Sequence, residues 1–135
     1  MNYANNPQAF LNGFFSSMRN VFLLSSVGVA MFGFSNTFKL NISSNIIKLI
    51  TILIFFVSLS ICITNITAFS QYINILDKDK KNIPNYINLN IWRSYLYLAY
   101  VYALILTILI LFALNRAYRY NKLLNKIFKR ITSKL

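Results

Sequence analysis

The 135-residue chain has no histidine and only two acidic residues. Those acids, Asp77 and Asp79, sit in one short stretch, so the fold cannot draw a carboxylate pair from separate elements. Without histidine, metal sites of the His/Cys type and Ser-His-Asp or Cys-His catalysis are excluded. The single cysteine, Cys62, excludes an internal disulfide framework and a paired-cysteine redox motif. Three glycines and two prolines are all there are, and none falls between Ile46 and Phe69. Charged residues make up only 12% of the chain, about half the share usual in a soluble domain. No general acid, base or nucleophile arrangement is visible, so no enzyme and no cofactor is expected.

What the chain does have is long apolar runs. Ile46 to Phe69 reads IIKLITILIFFVSLSICITNITAF, with Lys48 as its one charge. A helix of that length is about 36 Å long, enough to cross a hydrocarbon core of about 30 Å with some tilt. Two more runs flank it, at about 20–38 and 91–114. The expected fold is therefore all-α: an integral membrane protein with three transmembrane helices plus a C-terminal amphipathic basic helix. Residues 1–19 read as a polar N-terminal segment and lead-in helix, 20–114 as one membrane domain, and 115–135 as the tail. The N-terminus lacks the basic lead and short apolar run of a cleaved signal peptide.

Polar residues inside the spans carry the local expectations. In the first span Ser26, Ala30 and Gly33 recur at helical spacing, and small residues so placed let helices approach closely, within the chain or in a dimer. Asn65, an amide in the second span, should face another helix or a water-filled path. The third span opens with Trp92, Tyr95 and Tyr97, which fit an aromatic belt at the headgroup level. Tyr100 and Tyr102 lie deeper, where their hydroxyls should bond to another helix. Asn41-Ile-Ser43 and Asn65-Ile-Thr67 match the glycosylation pattern, one too close to the bilayer and the other inside a span. The stretch Ser70–Asn90 reads as the longest loop, with a solvated charge run and Pro84 as a helix stop.

The net charge is +12. In a soluble protein that would suggest nucleic acid; next to three spans it points first to anionic lipid headgroups and to orientation. From Asn115 onward there are seven basic residues and no acid. Leu123, Leu124, Ile127, Phe128 and Ile131 recur at helical spacing, with Lys122, Lys126, Lys129 and Arg130 flanking or opposing them. That is the pattern of a helix in the membrane interface. Nucleic acid is the weaker alternative, since such a stripe also suits phosphates, and a docking helix for a partner is a third option. Three spans place five basic residues on the N-terminal side and nine on the C-terminal side, which favours a cytosolic C-terminus. The Asn, Ile and Lys excess suggests an AT-rich genome, such as that of a large DNA virus, a protist or a symbiont.

Asn12 to Met31 (NGFFSSMRNVFLLSSVGVAM) resembles the first span of the YidH-like family of small three-helix membrane proteins, a domain of unknown function. Arg19-Asn20 sits where that family has its second Arg-Thr, and Gly28-Val29-Ala30-Met31 where it has Gly-Val-Ala-Leu. The family's first Arg is Asn12 here and its Trp is Ser17. The three-span layout over Asn12–Leu114 is similar as well. The resemblance implies a cytosolic N-terminus, opposite to the charge count. Through the related membrane domain of the vacuolar transporter chaperone complex it also implies an oligomeric anion or polyphosphate channel, with Arg19 a candidate contact. Lys48 and Arg93 join Arg19 on charge alone; all three equally suit lipid headgroups.

Two functions follow as expectations. The first is a membrane scaffold whose tail binds anionic lipid or a partner such as a coat protein, in a virion inner membrane for example. The second is a homo-oligomeric channel subunit.

Overall fold

A computed structural model describes residues 6–35, 42–78 and 87–132, the side chains at 42–43, 120, 123–125, 127–128 and 130–132 excepted. Among the described residues the protein consists of three helices, α1 (Pro7–Phe34), α2 (Ile42–Lys78) and α3 (Leu89–Thr132). Each contains a stretch long and apolar enough to cross a membrane, α1 being the least apolar of the three.

Local chemistry sets the helix ends. Asn6 caps α1 by accepting a 3.1 Å bond from the Ala9 amide, and Pro7 occupies the first turn, where its missing N–H costs nothing. At the far end the Ser35 amide donates to Met31 and its hydroxyl to Phe32. The Ser44 hydroxyl then donates to the Ser35 carbonyl, tying the start of α2 to the end of α1. Asn88 caps α3 through its side-chain oxygen, 3.0 Å from the Asn90 amide.

The helices run up, down and up. α2 packs along both neighbours, whereas the parallel pair α1 and α3 meets mainly through side chains. The edge-to-face pair Phe15–Tyr95 and the tilted pair Phe32–Phe112 bridge that gap, as does the bond between the hydroxyls of Ser25 and Tyr102. Val21, Phe55, Cys62, Phe69 and Leu106 fill the interior. Outside it, Leu49, Leu53, Leu104, Ile108 and Leu111 are exposed. A soluble domain would hide such side chains, but a bilayer takes them at no cost.

The helices outrun the expected spans. α1 starts at Pro7, so the lead-in and the polar residues from Pro7 onward belong to the same helix as the first span. α2 continues from Phe69 to Lys78, because SQYINILDK contains no breaker and its Tyr72 and Ile73 are buried against the bundle. α3 passes Leu114 without a break. The expected Asn41 acceptor, most of the charge run (Asp79 to Lys81) and Pro84 lie outside the described residues.

Two expectations about faces are corrected. Ser26, Ala30 and Gly33 are exposed, so they are not the packing face within the chain, which leaves the dimer alternative for them. The close approach instead occurs at Gly28, where a Cβ would stand 2.7 Å from Phe55 Cε1. Trp92 does not face outward as a belt residue would: it is 5% exposed and packs against Phe69 and Tyr72. Of the two deeper tyrosines, Tyr102 reaches α1, but Tyr100 is 50% exposed on the outer surface.

Candidate functional site

An aromatic stack marks one end of the bundle, and the Ser25–Tyr102 bond lies nearer its middle. At the end holding the α1 N-terminus, Phe14 stacks on Phe69 at 4.0 Å and Phe10 on Tyr72 at 4.0 Å, and Trp92 closes the stack from α3. One helical turn deeper, the Asn65 side-chain amide donates to the Ser17 hydroxyl at 2.6 Å. A crevice of about 200 Å³ opens between this bond and the stack, lined by Phe10, Gly13, Phe14, Asn65, Ala68 and Phe69. A Cβ at Gly13 would meet nothing within 4 Å, so the absent side chain leaves the crevice open.

The candidate cations are distributed rather than convergent. Arg93 donates to Asp77 at 3.0 Å, a half-exposed pair that joins α3 to the end of α2. Its guanidinium therefore faces a carboxylate instead of a path through the bundle. Arg19 is exposed on the outer face of α1. Lys48 is only 6% exposed at the opposite end of the molecule. There Arg116 lies over the Phe32 ring, 5.3 Å from its centroid, and close enough to Lys48 for the two charges to repel. Arg19 and Arg93 thus lie toward one end and Lys48 and Arg116 at the other.

The hydroxyls of the spans turn back on their own helices. Ser26 donates to Phe22, Ser58 to Ile54, Ser60 to Phe56, Thr64 to Ser60 and Thr67 to Ile63, each at 2.8 to 2.9 Å. Such back-bonding makes a hydroxyl cheap in an apolar medium. The single chain has no continuous polar inner face among these groups: Ser60, Thr64 and Thr67 are exposed, and Asn65 is engaged by Ser17.

Beyond Leu114, the side chains of Arg119, Lys122, Lys126 and Lys129 are exposed. Those of Leu123, Leu124, Ile127, Phe128, Arg130 and Ile131 lie outside the described residues.

Sequence reasoning passed over three relationships: the Ser17 partner of Asn65, the Gly28–Phe55 contact and the Arg93–Asp77 pair. Only the last left a signal, since an acid and a base flanking one connection are candidates to meet across it. Comparison of the chain with family models, curated proteins and solved structures finds no match.

Proposed function

We propose that the protein is a non-enzymatic, multi-pass membrane scaffold whose basic C-terminal segment binds anionic lipid headgroups. One observation carries the reading: the last stretch of the chain, from Asn115, holds seven basic residues and no acid. It continues α3, whose earlier part is apolar enough to span a bilayer. Near an anionic leaflet each such residue contributes about 1 kcal/mol. The apolar positions from Leu123 to Ile131 add an amphipathic face that an interface helix needs. The YidH-like resemblance of Asn12–Met31 implies the same three-span arrangement.

The test uses the full chain in nanodiscs, with an environment-sensitive dye on Lys126→Cys. Transfer from neutral to anionic lipid should shift the dye emission to the blue, and high salt should reverse the shift, since screening shortens the reach of each charge. No shift in anionic lipid would sink lipid binding. Loss of a co-purifying protein on ending the chain at Asn115, with no shift, would make the segment a protein-docking helix instead.

A further inference from the structure

We infer that the protein assembles with further copies of itself, the outer face of α1 in one copy docking on the outer hydroxyl row of α2 in the next. The inference rests on the membrane-spanning reading but not on the role of the tail.

Two exposed stripes carry it. On α1 the side chains opposite the buried Leu11, Phe14, Val21, Ser25 and Gly28 are Asn12, Ser16, Arg19, Leu23, Ser26 and Ala30, all exposed. This is an unusual outer face for a membrane helix: apart from Leu23 it is small or polar, and it bears one full positive charge. Arg19 carries five N–H donors and no acceptor. In lipid it must reach for water or find acceptors, because an arginine toward the bilayer interior costs on the order of 2.5–3.5 kcal/mol. The chain offers it no carboxylate among the described residues, since Asp77 faces Arg93.

On α2 the outward residues Ser60, Thr64, Thr67, Gln71 and Asn74 form a row at alternating spacings of four and three, all exposed. The hydroxyl hydrogens of Ser60, Thr64 and Thr67 are donated to carbonyls of their own helix. Their exposed oxygens can still accept, and the amide oxygens of Gln71 and Asn74 add acceptors to the row. The donor-only Arg19 and this acceptor row are chemical complements.

Their heights match. Within one chain the antiparallel α1 and α2 are in register at Ser17–Asn65 and Gly28–Phe55. Arg19 therefore lies level with Ile63 and Thr64, and Ser60 and Thr67 bracket it. A second copy in the same membrane orientation presents its α2 row at that height without any shift along the bilayer normal. Charge selects this pairing over its rival: a two-fold α1–α1 contact would set two Arg19 side chains against each other. An α1-to-α2 contact is head-to-tail, and it leaves no open face only if it closes into a ring.

The experiment pairs Ser16→Cys with Thr67→Cys, neighbours in height across the proposed contact. The full chain in native membranes is treated with a short thiol cross-linker. The double variant is expected to give a ladder of dimers, trimers and larger species. Each single variant should remain monomeric; the native Cys62, buried in every sample, is a constant background. Adding Arg19→Leu should reduce the ladder by about tenfold, the scale of one hydrogen bond to a charged group. No ladder from the double variant overturns the inference, as does dimer formation by Ser16→Cys alone. Native mass spectrometry of the unmodified chain from nanodiscs decides the matter independently of any substitution: a closed ring supports the contact and a monomer removes it. Carbonate washing of the same membranes separates the two levels of failure, because a chain released by the wash would not be membrane-spanning at all.

Discussion

Gly28 of α1 lies directly against the ring of Phe55 in α2: a Cβ on the glycine would stand 2.7 Å from Cε1 and 3.1 Å from Cδ1. Phe55 is 1% exposed and cannot swing away into lipid. Ile54 Cγ2 closes a second side at 3.2 Å. Gly28→Ala is therefore expected to lower stability by roughly 1–3 kcal/mol through overpacking, despite the better helix propensity of alanine. Gly13→Ala and Gly33→Ala meet nothing within 4 Å. In the three variants, thermal unfolding in one detergent should show a lowered midpoint for Gly28→Ala alone. Phe55→Leu combined with Gly28→Ala should recover part of the loss.

The bond from Asn65 to Ser17 joins α1 and α2 one helical turn below the aromatic stack. Hydrogen bonds between membrane helices average about 0.6 kcal/mol and reach about 1.7 kcal/mol. Asn65→Leu and Ser17→Ala should each cost about that much. The double variant should cost hardly more than either alone, because both remove one interaction. Additive losses in a double-mutant cycle would show that the two side chains act separately.

Trp92 is the only tryptophan, so its emission reports one place in the fold. Held against Phe69 and Tyr72 at 5% exposure, it should emit at short wavelength. It should also resist iodide and acrylamide, whereas a headgroup-level indole would be quenched. Trp92→Ala should cost about 3–5 kcal/mol. Tyr97→Ala, at a residue 66% exposed, should stay within about 0.5 kcal/mol in a detergent that replaces the lipid contact.

These three tests divide along what could be read from the chain. Number and order of the helices follow from apolar runs, because a bilayer imposes length and composition on any segment that crosses it. Which way a side chain points does not, since period 3.6 on an all-apolar helix marks no inner face. Trp92 therefore read as a belt residue, although it completes an aromatic stack that only packing could reveal. Ser26, Ala30 and Gly33 read as a packing face within the chain or in a dimer, and the contact within the chain belongs to Gly28, at a different angle on the same helix. The extra length of α2 to Lys78 was hidden for another reason: polarity suggested a loop, while Tyr72 and Ile73 keep that segment against the bundle. Asn65 was legible as a residue needing a partner; Ser17, one serine among several, was not legible as that partner.

The Arg93–Asp77 pair is half-exposed, with side-chain exposures of 43% and 34%. Solvent screening limits such a pair to about 0.2–1 kcal/mol. Asp77→Asn should thus lower stability by no more than that, and the difference should shrink in high salt. A loss well above 1 kcal/mol that persists in salt would place the pair in a drier setting than its exposure indicates.

Orientation provides the last test, and here two lines of reasoning oppose each other. Up-down-up topology puts Arg19, Lys78, Lys80, Lys81 and Arg93 on the side of the N-terminus. It puts Lys39, Lys48 and the seven basic residues of the tail on the other, nine against five. Acidic residues contribute little to orientation, so pairing with Asp77 does not discount Arg93. The charge difference predicts a cytosolic C-terminus, whereas the YidH-like resemblance implies a cytosolic N-terminus. A cytosol-active reporter fused after Leu135 is expected to work, and one fused before Met1 is not. Ending the chain at Asn115 removes seven of the nine charges and leaves two against five. If charge governs insertion, the shortened chain should turn over, and the N-terminal reporter should become active. A shortened chain that keeps its orientation would show that the first helix, not the tail, sets the topology.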